Sequence, residues 1–120
     1  MPKYVDGYLL AVPTKNLAAY KKMATLASKV WKEHGALDYR ECVGEDLNLE
    51  WGVSFNKTLN TKKGETVVFA YIVYKSRAHR DSVNKKVMKD PRIAGMCDPK
   101  DMPFDCKRMV VGGFETIVGK

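Results

Sequence analysis

Between Gly64 and Arg92 the chain carries its strongest hydrophobic pattern. Val67, Phe69, Tyr71 and Val73 alternate with Val68, Ala70, Ile72 and Tyr74, so apolar β-formers occupy both faces of one strand. A strand of that kind is covered on both sides. It runs directly into a helix: Ser76 supplies a hydroxyl N-cap, Lys85, Lys86 and Lys89 suit the negative end of the helix dipole, and Asp90-Pro91 ends the element.

The flanking elements follow from the same reading. Tyr4 to Val12 alternates Tyr4, Asp6, Tyr8 and Leu10 against Val5, Gly7, Leu9 and Ala11, and Pro13 closes the strand. Because an acid and two phenols share the first set, that set is expected on an open or ligand-facing side, with the smaller apolar set beneath helices. From Asn16 to His34, Tyr20, Met23, Ala24, Ala27, Val30 and Trp31 recur at helical spacing, with Asn16 as N-cap and Gly35 as the C′ residue. Leu37 to Val43 reads as an edge strand with Tyr39 and Glu41 on one face and Asp38, Arg40 and Cys42 on the other. The irregular stretch 44–63 fits either a short strand at Trp51, Val53 and Phe55 or a loop packed through those residues. Residues 91–106 hold three prolines and no long period, which predicts a loop or one short helix ending at MPFD. Lys107 to Val118 is the last strand, with Gly112 and Gly113 marking a bulge or a close backbone approach.

Strand, helix, strand, strand, helix, strand is the α+β ferredoxin-like βαββαβ order, an antiparallel sheet with helices over one face. The other face, expected to hold Tyr8, Leu10, Phe69, Tyr71 and Val73, is too apolar for water. Pairing two sheets face to face in a two-fold homodimer, as in a dimeric α/β barrel, removes that exposure.

The segments YVDGY, WKEHGALDYREC, GETVVFAYIVYKSRAHRDSVNKKVMKDPR and MPFDCKRMVVGGFE, in that order, resemble the YbaA-like family of bacterial proteins. The resemblance runs over nearly the whole chain and implies a ferredoxin-like fold of the dimeric α/β-barrel superfamily; it brings no assigned substrate. Cys106 stands where the family pattern carries glycine, MPFDGKRM.

Composition narrows the class. A chain of 120 residues, 45% hydrophobic and 29% charged, is expected to be a single folded domain over 1–120. It shows no signal-peptide pattern and no apolar run of the roughly 20 residues that cross a bilayer, so it is read as cytoplasmic with no membrane partner. Cys42, Cys97 and Cys106, without a CxxC pair, predict free thiols rather than disulfides or zinc. The net charge of +7 raises anionic partners. Lys15, Lys21, Lys22, Lys29 and Lys32, however, lie within one amphipathic helix, whose outer face they solvate. The strand VVFAYIVY lacks the basic, glycine-aromatic signature of an RNA-recognition strand, so nucleic acid is not expected, although an RNA- or polyanion-binding module is the alternative reading.

The candidate chemistry is sparse. Asp6 on an otherwise apolar strand is a candidate acid/base, with pairing to Arg40, Arg108 or a backbone amide as the structural alternative. Tyr8, Tyr39, Glu41 and Tyr71 are candidate ligand contacts. Arg77 and Arg80 in the first turn of the second long helix form a candidate anion site, with an Asp81–Lys85 pair as the alternative. His34 suits a helix C-terminus, and His79 suits a partly buried structural position beside Val83 and Val87. There is no metal-ligand cluster, catalytic triad or nucleotide-binding glycine pattern, so no cofactor is expected. These features favour a small-molecule protein, either a cofactor-independent enzyme or a metabolite sensor, with its pocket between sheets and helices.

Overall fold

The computed structural model describes residues 2–96 and 101–119. Four strands, β1 (Tyr4–Pro13), β2 (Asp38–Val43), β3 (Glu65–Tyr74) and β4 (Val110–Glu115), form one antiparallel sheet in the order β2-β3-β1-β4. Helices α1 (Leu17–Glu33) and α3 (Arg77–Met88) complete the βαββαβ order, with short helices α2 (Phe55–Leu59) and α4 (Pro91–Ala94) inserted. The fold is therefore the α+β ferredoxin-like architecture expected from the pattern. Among the described residues, no helix is long and apolar enough to cross a membrane.

Local chemistry accounts for most boundaries. Ser76 caps α3 by accepting from the His79 amide at 3.1 Å, and Asp90 caps α4 by accepting from the Arg92 amide at 3.0 Å. Gly35 follows α1 at φ 118°, a backbone region that favours glycine. Asn16 stands at the start of α1 but does not cap it with its side chain; its amide instead donates to the Pro103 carbonyl at 3.1 Å. The undecided 44–63 stretch contains a helix rather than a strand. Ser54 caps it through the Lys57 amide, Phe55 begins it, and Trp51 is 79% exposed rather than packed. Of residues 91–106, Pro91–Ala94 is the short helix, and Cys106 begins a 3₁₀ turn leading to β4. The predicted bulge at Gly112 and Gly113 is absent: they pair in continuous register with Gly7 and Asp6, and the close approach at Gly113 is by the Tyr4 ring. Cys42 and Cys106 are free, as expected, and Cys97 lies outside the described residues.

The sheet has one face covered by α1 and α3 and an opposite face that is bare except at the end where Leu59 of α2 and Leu47 pack on Ala11 and Val67, and register assigns each residue to one of them. Pairings Tyr4↔Tyr74, Asp6↔Ile72, Tyr8↔Ala70 and Leu10↔Val68 lie on the helix side. The buried cluster of Val30, Ile72, Tyr74, Val83 and Val87 joins α1, α3 and β3 there. This reverses the sequence expectation for β1. Asp6, Tyr8 and Leu10 lie beneath the helices, whereas Val5, Gly7 and Leu9 face the bare side with Phe69, Tyr71 and Val73. The expectation failed because it treated a carboxylate as a mark of the open face, whereas a charged partner on a helix makes its burial tolerable. For β2 and β3 the predicted faces hold, with Tyr39 and Glu41 on the helix side and Asp38, Arg40 and Cys42 opposite.

The segment preceding β4 is tied down by Arg108. Its guanidinium donates to both Glu65 carboxylate oxygens, at 2.6 and 2.9 Å, and to the Asn60 carbonyl at 3.1 Å. Arg108, together with the Lys62 amide, lowers the Glu65 pKa from an ordinary 4.5 to about 2. A depressed carboxylate contributes stability above its unfolded pKa that is lost as pH falls through the folded one. Thermal unfolding of wild type and Glu65→Gln should therefore show a wild-type advantage that is constant above about pH 5 and shrinks towards pH 2. An advantage independent of pH across that window would mean the ion pair is not what holds the segment.

Candidate functional site

Cross-strand register assembles the site in rows. Tyr8 on β1 and Glu41 on β2 are both opposite Ala70 of β3, and in the next row Asp6 and Tyr39 are both opposite Ile72. Neighbouring strands lie about 4.8 Å apart, so Tyr8 and Glu41 stand roughly 10 Å from each other with only a methyl group between them. That small residue floors a cavity of about 320 Å³ between the sheet, α1 and the segment leading to β4. Trp31 and Phe104 contribute to its walls, as does every methionine of the chain except Met1: Met23, Met88, Met96, Met102 and Met109. Methionine is unbranched and polarizable, and surfaces rich in it adapt to ligands of varied shape.

Glu41 is the polar centre of this cavity. Its two carboxylate oxygens accept from the Tyr20 hydroxyl at 2.6 Å and the Tyr39 hydroxyl at 2.8 Å. Burial, reinforced by the Glu41 charge and hydrogen bonds, pushes both phenols well above the ordinary tyrosine range, so they remain donors. Tyr8 is raised to about 12, first by burial and then by the charge of Asp6. Its hydroxyl makes no hydrogen bond to any described residue.

Asp6 occupies a different position. It is 2% exposed, does not line the cavity, and accepts from Arg80 Nη1 at 2.9 Å. Burial nevertheless raises its pKa against the opposing pull of Arg80. Arg80 also donates to Asp81 at 2.8 Å and lies 4.9 Å above the Tyr4 ring. Asn84 Oδ1 in turn accepts from the Trp31 indole at 3.1 Å and the Tyr74 hydroxyl at 3.2 Å. This network joins β1, β3, α1 and α3 beneath the helices.

The structure thus brings together Tyr8, Tyr39 and Glu41 and separates the other expected site residues from them. Asp6 is committed to Arg80, a partner absent from the sequence alternatives; Arg40 pairs with Asp38 and Arg108 with Glu65. Tyr71 lies on the opposite face of the sheet. The expected anion site loses one of its arginines, because Arg80 turns inward while Arg77 is exposed, and Asp81 pairs with Arg80 rather than Lys85. His34 ends α1 as expected, 2.9 Å from Asp90. His79 accepts from the Lys75 amide at 3.0 Å, with burial lowering its pKa. Tyr20, Asn84 and the methionines were not singled out by sequence reasoning. Their helical spacing marks Tyr20 and Met23 only as core, and the other methionines follow no period.

Removing one member of a buried ion pair leaves the other charge uncompensated. Arg80→Met should accordingly lower unfolding stability by about 3 kcal/mol in urea titrations, with most of that loss recovered in Asp6→Asn/Arg80→Met. A double variant no more stable than the single one would remove Asp6 as the reason for the cost.

Comparison with known proteins agrees with this architecture. The sequence profile of the family described as "Protein of unknown function (DUF1428)" matches residues 3–106. The chain is 42% identical over 116 residues to the uncharacterized protein YbaA of Escherichia coli K12, covering 97% of each chain, and equally so to YbaA of Shigella flexneri. Among solved structures, a dimeric ferredoxin-like protein from an uncultured marine organism superposes over the full length of both chains with a TM-score of 0.58 at 14% identity. That level of identity speaks to fold alone. By sequence over nearly its whole length, the chain belongs to the DUF1428 family of YbaA-like proteins.

Proposed function

We propose that this protein binds, and in doing so positions for transformation or sensing, a small and mainly apolar organic metabolite in the cavity beside Glu41. The observation that carries this reading is the lining of the cavity: aromatic and methionine side chains around one carboxylate and one unpartnered phenol. A mainly apolar concavity with a few convergent polar groups is the usual form of a small-molecule site, and about 320 Å³ is at the small end of their size range. Proton transfer to a bound molecule would fall to Tyr8 and Glu41, since Asp6 is engaged behind them.

The bare sheet face supports a two-fold homodimer. Phe69, Val110 and Phe114 are 44%, 50% and 61% exposed and belong to one face with Val5, Leu9 and Tyr71. A contiguous apolar surface of this kind marks an interface, and the marine protein of the same fold is described as dimeric. A second copy suits the face better than single-stranded RNA. The positions of β1 on it are Val5, Gly7 and Leu9, none of which stacks on a base, and Arg40 is already paired with Asp38.

Two measurements test these readings. In a thermal-shift panel of small aromatic alcohols, amines and acids, at least one class should raise Tm by several degrees at roughly 100 times its Kd, and Ala70→Leu, which fills the cavity floor, should abolish the shift. A panel without a single cavity-dependent shift would refute the pocket. Light scattering should give twice 13.6 kDa for wild type and a single chain's mass for Tyr71→Arg, which sets a charge in the apolar face. A monomeric wild type would refute the interface.

A further inference from the structure

Glu41 carries a charge that the protein leaves unmatched. Among the described residues it forms no ion pair with Lys, Arg or His, and it is the only charged residue lining the cavity. This is unexpected in a chain with 21 basic and 14 acidic side chains, whose net charge of +7 by itself points to anionic ligands. By comparison, the buried Asp6 and the part-buried Glu65 at the start of β3 each have an arginine.

The two partners that Glu41 does have are neutral donors. A carboxylate offers about four lone-pair sites, so two remain after the two phenols are served. The phenols orient the group without neutralising it. Glu41, Tyr20, Tyr39 and Ala24 also line an outer groove between α1 and β2, so the carboxylate stands in the wall where groove and cavity meet. Around it, Tyr8, Tyr20, Tyr39, Trp31 and Phe104 present aromatic rings to the cavity. Ring faces attract organic cations, and walls of rings beside one carboxylate recur where amines and quaternary ammonium groups are recognised.

Each ligand charge meets a different response from this lining. An anion would face Glu41 and the negative ring faces with no basic side chain to offset them. A neutral molecule would displace water from the half-buried carboxylate without returning a charge, at the cost of desolvating it further. A cationic head offsets that cost, while an apolar body lies along the methionines and Ile93.

We infer that the cavity is selective for a hydrophobic organic cation, a protonated amine or ammonium compound, whose charged head pairs with Glu41 and whose body fills the methionine-lined interior. This assignment rests on the proposed small-molecule site and names its ligand class.

A matched set of probes separates the two claims: 4-phenylbutylamine, 4-phenylbutan-1-ol and 4-phenylbutyrate, titrated calorimetrically at pH 7 into wild type, Glu41→Gln and Ala70→Leu. The amine should bind wild type at least about tenfold more tightly than the alcohol, with the acid weakest, because only the amine supplies the missing charge. Glu41→Gln, whose amide oxygen accepts from one phenol while its NH2 donates to the oxygen of the other, should abolish the amine's advantage over the alcohol, with the alcohol bound no more weakly than by wild type. Ala70→Leu should weaken all three. An alcohol or acid binding wild type as tightly as the amine, with Ala70→Leu still weakening it, would overturn the cation assignment while leaving the cavity in place. If none of the three binds, both the assignment and the cavity reading fail. The wild-type comparison stands even if the Glu41→Gln chain does not fold.

Discussion

The buried carboxylate of Asp6 organises the helix side of this protein. A charge at 2% exposure is tolerable only with a partner of good geometry, and α3 supplies it in Arg80, while Asn84, one turn on, also favours the ionised form. Their spacing of four residues places them one above the other on the helix, so satisfying Asp6 also sets the rotation of α3 over β1. Asn84 then receives the indole of α1 and the phenol of β3, which ties both of those elements to the same point. With α1 so placed, Tyr20 reaches Glu41 at the far edge of the sheet. The cavity is the space left between that anchor and the α1–β2 contact, where Ala70 is too small to fill it.

The two carboxylates of the helix side illustrate opposite solutions to one problem. Asp6 has an arginine and lies away from the cavity, so its role is to position elements. Glu41 has two neutral phenols and lies on the cavity wall, so its charge remains available. Burial of the Asp6 carboxylate is costly and is compensated internally by Arg80, whereas Glu41 is only half-buried and has no cationic partner among the described residues. This contrast, rather than net charge, gives the cavity its electrostatic character; the four lysines of α1 are on the exposed side of that helix.

The two sides of the sheet also differ in their chemistry. Hydrogen-bonded phenols, carboxylates and amides are concentrated under the helices, where low polarity strengthens each bond and raises the cost of leaving one unmade. The opposite side offers Phe69, Tyr71, Val110 and Phe114 with little polar chemistry, apart from the Asp38–Arg40 pair at the edge. Phe69 lies 6.3 Å from Tyr71 and 6.4 Å from Phe55 of α2, so the ring cluster extends from the sheet centre onto the inserted helix. The proposed binding and association would therefore use separate surfaces of the same four strands, with β3 contributing alternate residues to each.

The order of elements, the antiparallel ferredoxin-like sheet, the Ser76 cap, the Gly35 terminus and the faces of β2 and β3 were legible in the sequence, because each rests on period, propensity or a cap within a few residues. Tyr8, Tyr39 and Glu41 were also legible as polar groups on strands. The orientation of β1 was not: Asp6 is 74 residues from Arg80, and before folding nothing distinguishes a carboxylate meant for water from one meant for a distant guanidinium. Nor was the cavity, whose methionines come from α1, the end of α3, the turn after α4 and the approach to β4. Sequence alone determined which elements form and in what order, since those depend on local sterics and alternation. Tertiary structure alone decided which face of β1 is buried, which carboxylate is neutralised and where space remains, since these depend on partners brought together only when the sheet and helices close over one another.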